Sequence, residues 1–253
     1  MVHGLSVFKD FFVGYEEQYI LIGGSACDII MEARAETFRA TKDLDLVLSS
    51  EALTKEFVAR FWEFIRLGEY SYKRKSDGKR TFYRFEKPLK PEYPAMLEIL
   101  SIEESLLERS EPNGIIRMRV EEEIVSLSAI LLNEDYYKFI HEKKIIIEGI
   151  SIADLDCLIP LKIRAWLDLK DKKKEDSSIR SREVNKHRND VLRLEPALAQ
   201  KSNGKVPEII REDLRKFDEE IRREEDILIR LGIKDRTLDS ILNHFNSVYS
   251  YIE

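Results

Sequence analysis

Three short stretches of this 253-residue chain carry side chains suited to chemistry rather than to packing. The first is Gly23-Gly24-Ser25, which follows an apolar run ending at Ile22 and precedes a stretch of helical composition. A strand that turns into a helix through two glycines leaves free backbone N–H groups and the positive end of a helix at the turn. The missing side chains let an anion such as phosphate come close. Ser25 adds a hydroxyl donor. The second stretch holds Asp43 and Asp45, two apart in DLDLVL. Side chains at i and i+2 of a strand share one face, so both carboxylates converge on one spot. Leu44, Leu46, Val47 and Leu48 mark the strand as buried, and core strands rarely carry two acids on one face without a ligand. Two facing carboxylates repel, and hard oxygens of this kind suit Mg²⁺ shared with phosphate groups. The third stretch is AMLEILSI, in which Glu98 is the lone acid. A buried carboxylate needs a partner. If its strand lies beside the Asp43/Asp45 strand, Glu98 completes a three-carboxylate cluster able to hold two metal ions. Otherwise it pairs with an arginine such as Arg84.

The elements that must position these residues follow from hydrophobic periodicity and turn signals. Residues 5–16 read as an amphipathic lead-in helix and Gln18 to Ile22 as a strand. From Ser25 to Ala35, Ala26, Ile29, Ile30 and Ala33 recur at helical spacing. Residues 44–48 form the second strand, and Ser50 is placed to cap a helix from Glu51 to about Leu67, with Phe57, Phe61, Phe64 and Ile65 on one face. Runs at 69–75 and 80–86, around Ser76-Asp77-Gly78-Lys79, read as a hairpin. Residues 95–102 form a strand after a proline-rich link. Further strand candidates lie at 115–130 and 144–152, with a helix from Asn133 to His141 between them.

Around Asp154 the pattern becomes almost entirely helical. Helices are expected over Pro160 to Lys170, Glu183 to Leu194, Pro207 to Leu231 (closed by Gly232) and Thr237 to Tyr251. Asp171 to Ser181 reads as a charged connection and 197–206 as a loop. The expected architecture is therefore α/β (α+β): a mixed β-sheet flanked by helices in residues 1–153, then a mostly helical C-terminal domain in residues 154–253.

Composition limits the function. The net charge of −6 rules out a global basic footprint for nucleic acid, so any such contact needs a local patch. Cys27 and Cys157 lack metal-ligand spacing and read as buried thiols in a reducing compartment. Neither a signal peptide nor an apolar run of membrane-spanning length is evident, so a cytoplasmic protein with no membrane partner is expected.

A strand, Gly-Gly-Ser, a helix and then Asp-x-Asp on the next strand resembles the signature of the DNA polymerase β-like nucleotidyltransferase superfamily. Within it, the chain is most similar to the AbiEii/AbiGii toxin family of bacterial nucleotidyltransferases, which includes the MenT toxins. Their run of Arg, Thr and Lys before the acids resembles Arg39-Ala40-Thr41-Lys42-Asp43-Leu44-Asp45. Their Lys-x-x-Ala helix resembles Lys162-Ile163-Arg164-Ala165, and a later motif resembles Lys186 to Leu192, with His187 in place of its first acid, so that only Asp190 carries over. The resemblance implies a nucleotidyltransferase fold and transfer of a nucleotidyl group from an NTP to a hydroxyl acceptor. It also implies two Mg²⁺ ions on Asp43, Asp45 and Glu98, and phosphate held by Gly23, Gly24 and Ser25. Lys162 would contact the nucleotide with Asp190 near it. The resemblance allows tRNA as acceptor and an antitoxin protein as partner.

Each of these residues also has a plainer reading. Arg39 either reaches a phosphate or pairs with Glu36. Lys162 is otherwise a surface lysine of its helix, and His187 a solvated one. Between Lys162 and Arg193 there are eleven Lys/Arg against six Asp/Glu. The hairpin tip adds Lys73, Arg74, Lys75, Lys79 and Arg80 beside Tyr70, Tyr72, Phe82 and Tyr83. Basic residues among aromatics suit RNA, and they equally suit a solvated surface. Two other functions stay open: a small-molecule acceptor, as in antibiotic nucleotidyltransferases, and a catalytically silent fold that binds a partner.

Overall fold

The structure is a computed structural model and describes residues 2–49, 51–72, 83–100, 133–200 and 205–252. The hairpin tip, the strand candidates at 115–130, Ser50 and Asn203-Gly204 lie outside the described residues. The chain divides into two compact units, Met1–Asp154 and Leu155–Glu253.

In the first unit, α1 (Leu5–Phe11) leads to β1 (Tyr19–Ile22), α2 (Gly23–Ala33), β2 (Asp43–Leu48) and α3 (Lys55–Leu67). Then come β3 (Ser71–Tyr72), β4 (Tyr83–Glu86), β5 (Met96–Leu100), α4 (Glu134–Glu142), β6 (Lys144–Ile147) and β7 (Ile150–Ala153). The strands form one mixed sheet in the order β3-β4-β5-β2-β1-β7-β6. β2 runs antiparallel to β1 and parallel to β5. This mixed α/β sheet with flanking helices is the architecture expected from the sequence.

Register separates the two faces of the sheet. Tyr19 and Leu21 of β1 share a face with Leu46 and Leu48 of β2 and with Leu97 and Ile99 of β5. α1 and α3 cover that face with aromatic rings. Tyr19 meets Phe8 edge-on at 5.3 Å, and Phe85 of β4 meets Phe61 of α3 at 5.6 Å. Burying such rings is the main driving force for this layer. The opposite face carries the acids.

Two boundaries differ from expectation here. α3 begins at Lys55, not Glu51, because Thr54 is the cap. Its Oγ1 accepts from the Phe57 N–H at 3.2 Å, while the Gln18 side chain fixes Thr54 by accepting from its N–H and hydroxyl. α1 stops at Phe11 instead of running to residue 16, and the chain then turns through Gly14 at φ +85°.

The second unit holds α5 (Leu155–Glu175), α6 (Ser181–Leu194), a 3₁₀ turn (Glu195–Ala197), α7 (Glu208–Ile221), α8 (Ile227–Leu231) and α9 (Leu238–Tyr249). Among the described residues its only regular elements are helices, and Trp166, Phe217, Phe245 and Tyr249 form a chain of ring contacts through its core. α5 is longer than the expected Pro160 to Lys170 helix and takes in the first part of the charged connection, Asp171 to Glu175. Lys170 pairs with Glu220 and Lys174 with Asp171, and lysine-rich sequence favours helix. The long helix expected from Pro207 to Leu231 is two helices. The break spans residues 222–226 and closes at Asp226, which takes the left-handed conformation with φ 55°. Among the described residues, no helix is long and apolar enough to cross a membrane.

Candidate active site

β1 ends at Ile22 and α2 begins at once with Gly23, two residues earlier than the helix expected from Ser25. Gly23 makes the turn at φ +73°, a conformation that glycine adopts without steric cost. A second reason for glycine is tertiary. A Cβ at residue 23 would lie 2.0 Å from Oδ2 of Asp45. The Asp45 carboxylate therefore lies directly over the turn. At Gly24 a Cβ would lie 3.1 Å from Nη2 of Arg39 and 3.2 Å from Oγ1 of Thr41. Arg39 and Thr41 come from the segment that leads into β2. The N-cap residue of α2, Ile22, supplies no side-chain cap and the first turn holds no acidic residue, so the positive end of the helix points toward the Asp45 carboxylate.

Ser25 departs from the expectation. Its side chain is fully buried and its Oγ donates to the Ile22 carbonyl at 3.3 Å, because the helix starts before it and turns the hydroxyl inward. Gly23 and Gly24 are only half-buried. The cradle is therefore built of glycine backbone, Arg39 and Thr41. Thr41 was visible in the sequence only as part of the run before the acids.

Asp43 and Asp45 lie on the same face of β2, both half-buried between buried leucines. In the parallel pairing of β2 with β5, the partner of Asp45 is Glu98. Directly paired residues project to the same side, so the three carboxylates share one face. Glu98 has a charged neighbour on either side. It lies beside Asp45, and it is also paired with Arg84, whose Nε is 3.3 Å from its Oε1. Arg84 is the cross-strand partner of Glu98 on β4. Glu98 is 5% exposed, so this ion pair provides for its burial. Among the described residues, no group of three His, Cys, Asp or Glu is arranged to hold a metal ion. Asp43 and Asp45 are the half-solvated carboxylates of this face and carry the hard oxygen donors that a cation such as Mg²⁺ takes.

In the helical unit, Lys162 of α5 and Asp190 of α6 are partners, with Nζ 2.8 Å from Oδ2. They are 4% and 1% exposed, so Lys162 is not a surface lysine. His187, one turn before Asp190, is half-buried instead of solvated. Nearby on α5, Arg164 bridges Asp168 and Asp213. Burial pushes the Asp168 carboxyl above the usual range, against the pull of Arg164. One buried cluster was not legible in the sequence. Glu195, with no exposure, is shared by Arg236 and His244, which lie 41 and 49 residues away.

No family model and no curated protein matches this sequence. Two solved structures are similar in shape. One is an antigenic nucleotidyltransferase-like protein from Paracoccidioides brasiliensis, at 14% identity over 93% of this chain and 93% of that chain, with a TM-score of 0.46. The other, from H. pylori, has nucleotidyltransferase in its name; it is 13% identical over 96% of this chain and 89% of that chain, with a TM-score of 0.32. At these scores the function of the site has to be carried by its own residues.

Proposed function

We propose that the α/β unit transfers a nucleotidyl group from an NTP to a hydroxyl acceptor, with release of pyrophosphate. The observation that carries this reading is the convergence of Asp45, Arg39 and Thr41 on a glycine turn, with Asp43 and Glu98 on the same sheet face. A glycine cradle with an arginine and a hydroxyl binds phosphates, and paired acids beside it bind a cation that the phosphates also need.

In this reading the backbone at Gly23 and Gly24, Arg39 and Thr41 hold the phosphates. Asp43 and Asp45 would hold Mg²⁺, which neutralises charge on the phosphates and on the departing pyrophosphate. The acceptor oxygen bonds to the α-phosphorus as the bond to the bridging oxygen breaks, and the hydroxyl proton passes by way of Glu98 to water. Placing the reactants accounts for much of the rate in such chemistry, since little else must be built.

The family resemblance extends this reading to an RNA acceptor such as tRNA, and to the toxin half of a bacterial toxin–antitoxin pair. Calorimetric titration of Mg²⁺ and each NTP into wild type and Asp45→Ala tests the core of the proposal. Wild type is expected to bind one NTP with Mg²⁺, and the variant to lose most of that affinity. Absence of NTP binding to wild type would sink the enzymatic reading. Incubation of total RNA with α-labelled NTP then tests the acceptor. Label retained on RNA supports the RNA reading, and turnover without labelled RNA points to a small-molecule acceptor.

A further inference from the structure

We infer that β6 is an interaction surface for a second copy of this chain, which pairs antiparallel with it along the edge of the sheet. The inference is independent of the nucleotidyl-transfer reading. β6 and β7 are both rich in isoleucine, KIII and ISIA, yet they differ in depth. β7 lies inside the sheet and is buried throughout, whereas β6 is an edge strand, paired on one side only among the described residues. Ile145 and Ile147 are half-buried, and Ile146 is 53% exposed. An edge that carries consecutive large apolar side chains is a template for another strand.

The backbone is oriented for such pairing. Glu148 (φ 49°) and Gly149 (φ 78°) form the two-residue turn between Ile147 and Ile150. Across such a turn the flanking residues exchange hydrogen bonds, and bonded positions then alternate along the strand. At the far end the Asp154 N–H donates to the Lys143 carbonyl at 2.9 Å, in step with that alternation. The N–H and C=O groups of Ile145 and Ile147 therefore face β7, and those of Lys144 and Ile146 face outward.

The edge is also complementary to itself. Read antiparallel about Ile146, the run Lys144-Ile145-Ile146-Ile147-Glu148 sets Ile146 against Ile146 of the second copy and Ile145 against Ile147. Lys144 meets Glu148, and two-fold symmetry repeats that ion pair. The two Ile146 residues exchange their outward hydrogen bonds. Lys144 already pairs with Glu17, and Glu148 lies 4.0 Å from Lys9. Both carboxylates are largely exposed and an ammonium has three donors, so these local contacts are compatible with a pair across the edge. Ile146 is the partner of Ser151, on the sheet face that carries Asp45. Paired residues project to the same side, so the two candidate sites of the dimer open on one side of a continuous sheet.

Sedimentation equilibrium over a range of chain concentrations tests this, with exchanged charges as the control. Wild type is expected to reach twice the chain mass. Lys144→Glu and Glu148→Lys each set like charges face to face twice, so each alone is expected to dimerise about tenfold or more weakly. An equimolar mixture of the two restores both ion pairs and is expected to form the mixed dimer, which also shows that each variant is folded. The double variant Lys144→Glu/Glu148→Lys is expected to form a dimer of its own. A wild type with no association tighter than about 1 mM would overturn the inference. So would single variants that dimerise as wild type does, or a mixture that fails to restore the dimer.

Discussion

On the sheet of the α/β unit, Asp43, Asp45 and Glu98 crowd like charges onto one face, and only Glu98 is both buried and paired with an arginine of the sheet. In the helical unit, buried Lys162 is paired with buried Asp190, and Arg164 is paired with Asp168 and Asp213. Both arrangements place charge in a folded core. Matched charge is satisfied within its own unit, and losing one partner strands the other in a poorly solvating interior. Half-solvated charges of one sign on one face repel one another, and a cation bound beside them relieves that repulsion. In the proposed reading, the same residue types serve stability in one unit and ligand binding in the other.

Variants of the matched pair should give the largest effects. Asp190→Asn or Lys162→Met should each lower unfolding free energy by about 3–5 kcal/mol, measured by urea titration. The double change to Lys162→Met/Asp190→Leu should recover most of that loss. If each single change costs under about 1 kcal/mol, the pair is solvated and the contrast between the units fails.

Gly23→Ala comes next, because it joins backbone strain to the site. Residue 23 sits at φ +73°, and the new methyl would collide with Asp45. A cost of about 1–3 kcal/mol is expected, together with loss of NTP binding by calorimetry. Unchanged NTP affinity would show that the turn does not cradle the nucleotide.

Asp45→Asn should separate the two roles. Relief of repulsion offsets any lost contact, so stability should move by no more than about 0.5 kcal/mol. Mg²⁺-dependent NTP affinity should fall by about tenfold or more. A large loss of stability with intact binding would place Asp45 among the structural charges instead.

The smallest effect concerns pH. Burial holds the His141 imidazole below its ordinary range, against a weaker opposing pull from Glu51. A folded-state pKa below the unfolded one means that the unfolded chain binds the proton more readily. This contribution to stability is therefore complete above about pH 6.5 and is lost as pH falls from there toward the lower folded value. Solvent screening keeps the change small, since the ring is half-exposed. Unfolding midpoints between pH 7.5 and 5.5 should fall less steeply in His141→Phe; an unchanged slope would assign the pH dependence to other groups.

Much of this protein could be read from sequence because the signals were local. Gly-Gly after an apolar run marked the strand-to-helix turn, and the i, i+2 spacing of Asp43 and Asp45 put both acids on one face before any fold was known. The Phe57, Phe61 and Phe64 stripe marked a core helix, although its cap was set by a contact with Gln18 from 36 residues away. Periodicity also showed the change from α/β to helical character, yet it missed the break at 222–226, closed by the left-handed Asp226, that splits one helix in two.

The tertiary structure decided what depended on strand register and depth. Sequence offered Glu98 either two aspartates or an arginine, and pairing of β5 between β2 and β4 gave it both neighbours. Sequence offered the Ser25 hydroxyl to a ligand, and an earlier helix start turned it inward. The glycine turn at 23 and 24 had one local explanation, its backbone freedom. Only the fold showed that Asp45, Arg39 and Thr41 occupy the space that side chains there would need, because contacts between distant segments are fixed by packing and not by neighbouring residue types.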